Sequence, residues 1–446
     1  MSAEPWRVFV VLGLISGSLF VFLTPPFQGP DEPSHFARAW EISRGRLQAT
    51  APSTPLPENL ADAIAISSRV TFDSGEKVTI SEITGSMRGS MGERDVYHAG
   101  AAIYTPVPYA PQAAVIALLR PLIGESIALL YVSRLANLIC STLILAGSLA
   151  ILPFSRSLFL LLALTPMFAF LRSTASPDAI TGSVAFLLTA LILRMSFSSD
   201  SPGRRDVLLL LACSAVLVLS KPIYAFLPLL ACMIPHQQFR STRARTALAV
   251  SLLVITSLAL VIAMWNAHAT FQSIRADEGI SPRLQLEAML DEPARFPAAA
   301  FNDYAIHYRR YVAEMIGNLG WLDTPLPISA IAAWALLLIA VALVDGPARL
   351  GVREKTICST ILAASMLLLS ASLYLGWTPA GAARIEGLQG RYFIPLMPLG
   401  LLLLQNRKWG RDRWNGAVRW RSMMVLTSSA VLLITAITLL QRYWIL

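Results

Sequence analysis

Residues 103–124 read IYTPVPYAPQAAVIALLRPLIG, apolar enough for a membrane span yet interrupted by Pro106, Pro108, Pro111, Arg120 and Pro121. Whether this piece crosses decides the topology of everything after it, because each crossing inverts the side of every later loop. The signals around it are clearer. An apolar run at about 8–24 gives way to a polar, Pro- and Gly-containing region reaching about Tyr104. Further apolar runs follow at about 131–152, 157–172, 178–195, 207–220, 222–235, 246–265, 326–344, 356–375, 391–404 and 422–440. Charge arbitrates, since short cytoplasmic loops carry the excess of Lys and Arg. With 103–124 not crossing and the N-terminus cytoplasmic, seventeen basic residues face six acids inside, and nineteen face twenty-one outside. Letting 103–124 cross would move nearly all the short basic loops outside. The expected topology is eleven spans, N-terminus in and C-terminus out, with 103–124 a surface helix or a re-entrant segment.

Composition agrees with a membrane protein. Of 446 residues, 55% are hydrophobic and 14% charged, with mean hydropathy +0.58, whereas soluble domains carry about a quarter charged residues. The net charge of +9 is sorted between loops rather than gathered into a patch, so no nucleic-acid partner is expected. Cys140, Cys213, Cys232 and Cys358 lie in apolar stretches without CxxC spacing, which argues against a disulfide framework or a zinc site. The run from Arg7 to Thr24 is too long for a signal-peptide core and ends in a poor cleavage site, so it reads as a retained span. The expected fold is an all-α polytopic membrane protein, one integral-membrane domain over 1–446. Its long extracytoplasmic segments are 25–130, with surface helices, and 266–325, and no separate soluble C-terminal domain is expected.

The candidate chemistry gathers on the outer face. After the first span the chain reads PPFQGPDEPSHFARAWE over 25–41. Four prolines and a glycine break the helix, and Pro33 can start another, because a missing N–H costs nothing in the first turn. Asp31, His35 and Arg38 would then share one side. Asp31 and Glu32 are helix-cap candidates, or a general base at a partly desolvated boundary, or oxygen ligands for a divalent cation. Asp178, after Pro177, has the same alternatives, and ionisable residues at membrane depth point to function by default. Lys221 lies between two short apolar runs, Arg391 opens another, and Arg134 and Arg172 sit at span boundaries. Each is either an interfacial anchor or a phosphate-binding cation. His98, His236, His268 and His307 lack metal-ligand spacing, and nucleotide-binding, GxSxG and HExxH motifs are absent.

These residues fall within a set of short motifs that resembles the DUF2142 family of bacterial membrane proteins, itself related to the GT-C superfamily of polyprenyl-phosphate-sugar-dependent glycosyltransferases. The motifs are Pro30 to Ala39, Tyr109-Ala110-Pro111-Gln112, Tyr131 to Asn137, Thr165-Pro166-Met167, Ser176-Pro177-Asp178-Ala179, Lys221-Pro222-Ile223-Tyr224, Gly317 to Asp323 and Gln389 to Pro395. Their order and spacing carry the likeness over most of the chain. The resemblance implies a GT-C-like fold in which an acid of the first outer loop deprotonates an acceptor while a lipid-linked sugar donor enters from the bilayer.

The expectation is therefore a multi-pass bacterial inner-membrane glycosyltransferase acting on an extracytoplasmic cell-envelope glycan or lipid-linked acceptor. Asp31 would be base or metal ligand, with Glu32 assisting and Asp178 nearby. Lys221 and Arg391 would hold the donor phosphate, with Arg134 and Arg172 as lesser candidates. His35, Arg38, Gln389 and Tyr392 would support, and Mg or Mn at Asp31 and Asp178 stays open. A translocase of lipid-linked saccharides and a non-catalytic subunit of a polysaccharide-assembly complex are the competing classes. The first would show charges at mid-membrane and repeated halves.

Overall fold

A computed structural model describes residues 4–49, 51–85, 92–124, 126–271, 280–345, 350–405 and 417–445. The helices in chain order are α1 (Pro5–Leu23), α2 (Glu32–Ser43), α3 (Glu58–Val70), α4 (Ile80–Gly85), α5 (Ala99–Ala102), α6 (Ala110–Ile123) and α7 (Ala128–Ile151). Then come α8 (Arg156–Ala163), α9 (Pro166–Arg172), α10 (Asp178–Phe197), α11 (Arg204–Ser220), α12 (Thr242–Phe271), α13 (Pro282–Asp291) and α14 (Arg295–Ile316). The last are α15 (Ile328–Val344), α16 (Val352–Gly376), α17 (Met397–Leu402) and α18 (Ala417–Tyr443). Two small antiparallel ribbons depart from the all-helical expectation. In one, β1 (Ser53–Pro57) pairs with β2 (Glu93–Tyr97), Ser53 opposite Tyr97; in the other, β3 (Asn318–Leu319) pairs with β4 (Thr324–Pro325).

Among the described residues six helices are long and apolar enough to cross a bilayer: α1, α7, α10, α12, α16 and α18. The other five expected spans are shorter or broken, and proline is the main reason. Pro166 starts α9 afresh after Thr165, and 222–233 winds as two 3₁₀ turns beginning at Pro222 and around Pro228. Gly390–Leu396 is likewise 3₁₀ and contains Pro395. A ring nitrogen without a hydrogen cannot continue the ladder, and the chain tightens or restarts. Helices α11 and α15 have 17 residues each. Of the charges used to assign sides, Arg349, Arg407, Lys408, Arg411, Asp412 and Arg413 of the inner set and Arg88, Glu125, Arg275, Asp277 and Glu278 of the outer set lie outside the described residues.

Helix α10 is buried on nearly every side, packed against α7 and α11, while α1 packs on α7 and α18. Outward faces stay apolar: Val11, Ile15, Leu19 and Phe22 on α1, and Leu253, Leu258 and Val261 on α12, are exposed. Exposed apolar area on this scale suits lipid rather than water. The ambiguous stretch 103–124 becomes a 3₁₀ turn at Val107–Tyr109 leading into α6. Its Gln112, Ala113 and Ile116 face inward, while Leu118 and Leu122 point outward at 70% and 76% exposure. With the 3₁₀ turn before it, the apolar helical stretch runs over Val107–Ile123, shorter than the six candidate spans.

A buried ion pair joins the first loop to this bundle. Arg134 of α7 donates through Nε and Nη2 to the two carboxylate oxygens of Glu32 at 2.8 and 2.6 Å. It also donates to the carbonyls of Val21, Thr24 and Pro25, at 3.0, 2.7 and 2.8 Å. Glu32 in turn accepts the backbone N–H of Gly29 at 3.1 Å and of Ala175 at 2.9 Å. Asn137, one turn along α7, donates to the carbonyls of Thr174 and Ser176 at 2.8 Å each. The end of α1, the start of α2 and the α9–α10 turn are thus tied to one face of α7. Removing one partner of a buried pair strands the other charge at a cost of about 3–5 kcal/mol. Glu32→Ala and Arg134→Ala should each lower the unfolding free energy of the detergent-purified protein by that order. A double-mutant cycle in thermal or denaturant unfolding should show the two losses far from additive.

Candidate functional site

The turn that carries Asp31 is held in an unusual conformation. Phe27 and Asp31 both have positive φ, 63° and 56°. Aspartate is among the few side chains that tolerate this left-handed region. Asp31 occupies the N-cap position of α2, yet its side chain makes no capping bond. It turns instead to Arg391, whose Nη2 donates to Asp31 Oδ2 at 2.5 Å. The Asp31 side chain remains 48% exposed. Desolvation by the surrounding protein works to raise its pKa, but the charge and hydrogen bond of Arg391, helped by His35, hold the carboxyl below its ordinary value.

Three more segments converge there. Asp178 opens α10 and receives a hydrogen bond from Lys221 Nζ on Oδ1. Its Oδ2 lies 3.8 Å from Arg391 Nη1, and neither atom has a hydrogen-bond partner among the described residues. Lys221 stands in the break between α11 and Pro222, in extended conformation, where the helix has ended and its side chain can turn inward. Its ammonium sits 5.4 Å from the Tyr104 ring centroid and 5.0 Å from that of Tyr392. Arg391 is the second residue of the 3₁₀ turn Gly390–Leu396, with Nε donating to Gln389 Oε1 at 2.6 Å and its guanidinium 5.3 Å from the Tyr392 ring.

The backbone before Arg391 is itself pinned to α14. Gly390 N–H donates to Glu314 Oε2 at 2.6 Å, and a Cβ on Gly390 would come 2.2 Å from the Tyr311 carbonyl oxygen. Only glycine permits that approach. Arg310 braces the same place, donating to the Leu388 carbonyl at 3.2 Å and lying 3.4 Å from Glu314. Burial raises the Glu314 pKa, partly offset by the Gly390 N–H and the two arginines.

His35, four residues beyond Asp31, reaches the same cluster. One ring nitrogen is 2.9 Å from Tyr109 Oη, and the ring lies 6.2 Å from that of Tyr104. Two carboxylates and two cations thus oppose each other beside aromatic rings, at the end of the bundle where α1 stops and α10 starts. Among the described residues no group of three or more metal-ligating side chains forms. Asp31 and Asp178, the two candidate metal ligands, are each matched with a cationic side chain, a poor fit for a divalent cation.

The remaining candidates stand elsewhere. Glu32 and Arg134 saturate each other in the joint described above, so neither is free to assist a reaction or grip a phosphate. Arg38 is turned away from Asp31: it donates to Glu41 at 3.0 Å and to the carbonyls of Arg46 and Leu47, while His98 meets the same Glu41. Arg172 lies within the bundle rather than at its edge, bonded to Thr142. Tyr104, Tyr109 and Glu314 were not among the sequence candidates, nor was Tyr224, whose Oη donates to the Tyr392 carbonyl at 2.8 Å. Tyr109 stood inside a quoted motif, but nothing in a linear pattern of charges shows that a tyrosine will face a histidine 74 residues away.

Burial dominates the titration of His35, pushing its pKa down to about 4 against the pull of Asp31 and Asp178. Its folded value is lower than the unfolded one, so the unfolded chain binds the proton first as pH falls. Stability should decline between about pH 6.5 and pH 4, by roughly 3 kcal/mol from this group when complete. Thermal midpoints of the wild type should fall through that window, and His35→Gln should flatten the decline.

Neither the curated proteins nor the solved structures contain a match to this chain. One family model does match, over residues 14–400, and carries the description of a predicted membrane protein. That span takes in the first loop, the Asp178 turn, Lys221 and Arg391, and on it the chain belongs to the DUF2142 family of predicted membrane proteins.

Proposed function

We propose that this chain is a multi-pass glycosyltransferase of the bacterial inner membrane, related to the GT-C superfamily. It would move a sugar from a polyprenyl-phosphate donor to an extracytoplasmic glycan or lipid-linked acceptor. The observation that carries the reading is the meeting of Asp31, Asp178, Lys221 and Arg391, from four distant parts of the chain, at one end of an apolar helix bundle. In the proposed topology the chain crosses eleven times, the short helices included. The site end faces out, and segments 25–130 and 266–325 border the acceptor.

Transfer from such a donor breaks the bond between the anomeric carbon and a phosphate oxygen, leaving charge on the phosphate. Arg391 and Lys221 supply the countercharge, Arg391 with a fork suited to phosphate oxygens. At rest these cations are occupied by Asp31 and Asp178, so the site is close to electrically balanced. An arriving phosphate competes for Arg391. As the guanidinium turns toward it, Asp31 loses the partner that depresses its pKa and becomes the better base for the acceptor hydroxyl. Asp178 keeps Lys221 in place, and the rings of Tyr104 and Tyr392 offer flat apolar walls for a sugar face. Charge stabilisation falls to side chains, and no step is routed through a metal.

The translocase reading has one observation of its own, a charged residue, Arg172, enclosed within the bundle. Movement of lipid-linked saccharide into proteoliposomes without covalent transfer would favour it over the enzyme.

Asp31→Asn keeps the shape and the tolerance for positive φ while removing the base. With purified protein, a polyprenyl-phosphate sugar and candidate acceptors, it should cut the transfer rate by about 10²- to 10⁴-fold. Unchanged transfer would sink the assignment. Arg391→Lys keeps the charge but loses the fork, and the turnover rate should fall by about 10²-fold or more. A normal rate in that variant would move the phosphate site elsewhere.

A further inference from the structure

The end of the bundle opposite the candidate site is where α11 and α12 begin. Helix α11 finishes at Lys221, and late in α12 Asn266 Nδ2 donates to the carbonyl of Ile103, beside Tyr104, at 3.0 Å. Both helices therefore run toward the site and start at the far end. There Gln238 Nε2 donates to the Ser198 carbonyl at 2.8 Å, tying the chain that leads into α12 to the turn between α10 and α11.

Five exposed arginines gather at that end: Arg204 and Arg205 opening α11, and Arg240, Arg243 and Arg245 around the start of α12. None of the five is paired with a carboxylate among the described residues. The nearby acids are engaged elsewhere, Asp206 with Arg194 at 3.3 Å and Glu354 with Arg353 at 3.6 Å, which leaves Asp200 in the turn. From Val207 to Ala276 the sequence holds no Asp or Glu at all. Helix stability does not explain the arginines, because the first turn of a helix disfavours cations.

The same helices continue from their arginines into exposed apolar surface. On α12, Arg243, Ala247, Val250, Val254 and Val261 recur at intervals of three, four and seven, which places them on one face, and all five are exposed. Helix α11 repeats the arrangement, with Leu208 and Leu209 exposed four residues after Arg204 and Arg205. The two helices pack together, and α12 is the least buried of the six candidate spans. Arg243 and Ala247 lie about 6 Å apart along the helix, so one ligand meets both the cation and the apolar track. Its chemistry follows: anionic at one end and hydrocarbon beyond it. A free anion or an acidic soluble protein would answer the arginines and leave the track bare, whereas a phospholipid phosphate suits the guanidinium fork and its acyl chain suits the track.

We propose that the start of α12, with the start of α11 packed beside it, is a binding surface for anionic phospholipid. The phosphate sits on Arg240, Arg243 and Arg245, and an acyl chain runs along Ala247, Val250 and Val254. The surface is separate from the cluster around Asp31 and does not depend on glycosyl transfer.

The full-length protein is to be compared in nanodiscs of phosphatidylcholine alone and of phosphatidylcholine mixed equally with phosphatidylglycerol. The thermal midpoint should be several degrees higher in the mixed discs. After transfer to detergent, native mass spectrometry should find phosphatidylglycerol retained several-fold over phosphatidylcholine. Both effects should shrink in about 1 M salt, where the Debye length falls to about 3 Å. A triple variant, Arg240→Gln with Arg243→Gln and Arg245→Gln, should lose both effects while keeping the fold, since all three positions are exposed. Equal retention of the two lipids overturns the proposal. Undiminished retention in the triple variant overturns it as well, by placing the lipid elsewhere. So does inorganic phosphate that raises the midpoint of the detergent-solubilised protein as far as the lipid does, an adventitious ion only.

Discussion

A carboxylate and a guanidinium that are both fully buried must satisfy nearly all their hydrogen bonds or the fold will not hold them. Glu32 and Arg134 meet that demand by drawing on the backbone around them. The carbonyls that end α1 and the N–H groups of Gly29 and Ala175 are all used. Three chain segments therefore have to arrive together. Asp31 precedes Glu32 by one residue and Asp178 follows Ala175 by three, so the constraint that closes the joint also delivers two acids to the site. Adjacent carboxylates at 31 and 32 divide the work: one ties the loop down, and the other faces the opposing cations.

Those cations come from places where helices fail. Lys221 stands where α11 meets Pro222, and Arg391 is the second residue of a 3₁₀ turn held by Glu314 and Gly390. Broken backbone within a membrane bundle is tolerated where protein surrounds it, and a break lets a long side chain turn across the bundle instead of along its own helix. The prolines that break three of the expected spans are thus part of how positive charge is brought opposite Asp31 and Asp178. Helix α14 matters for the same reason, since it anchors the backbone from which Arg391 extends.

Three buried arginines show how far environment, rather than residue type, sets a role. Arg134 uses both edges and is structural. Arg391 is engaged with Asp31 through Nη2 but keeps Nη1 unbonded 3.8 Å from Asp178, which leaves it able to exchange partners. Arg172 has one hydroxyl contact, and its Nε and Nη2 have no hydrogen-bond partner among the described residues. From the sequence all three were boundary arginines with the same alternatives.

Much of this protein was legible before any coordinates. Long uninterrupted apolar runs gave six membrane-length helices close to their expected bounds, because a run of some 20 apolar residues has few other stable states. Charge and proline context singled out Asp31, Asp178, Lys221 and Arg391, since ionisable groups beside helix breaks are costly to keep without a use. The pattern could not separate Glu32 from Asp31, or Arg134 and Arg172 from Arg391, or notice Tyr104 and Glu314. Those distinctions depend on which backbone carbonyls, rings and opposite charges surround each side chain, and only the folded bundle brings such partners together from hundreds of residues apart. Sequence determined which groups were available and where the chain breaks; tertiary structure decided which pairs were satisfied and which donors stayed unpaired.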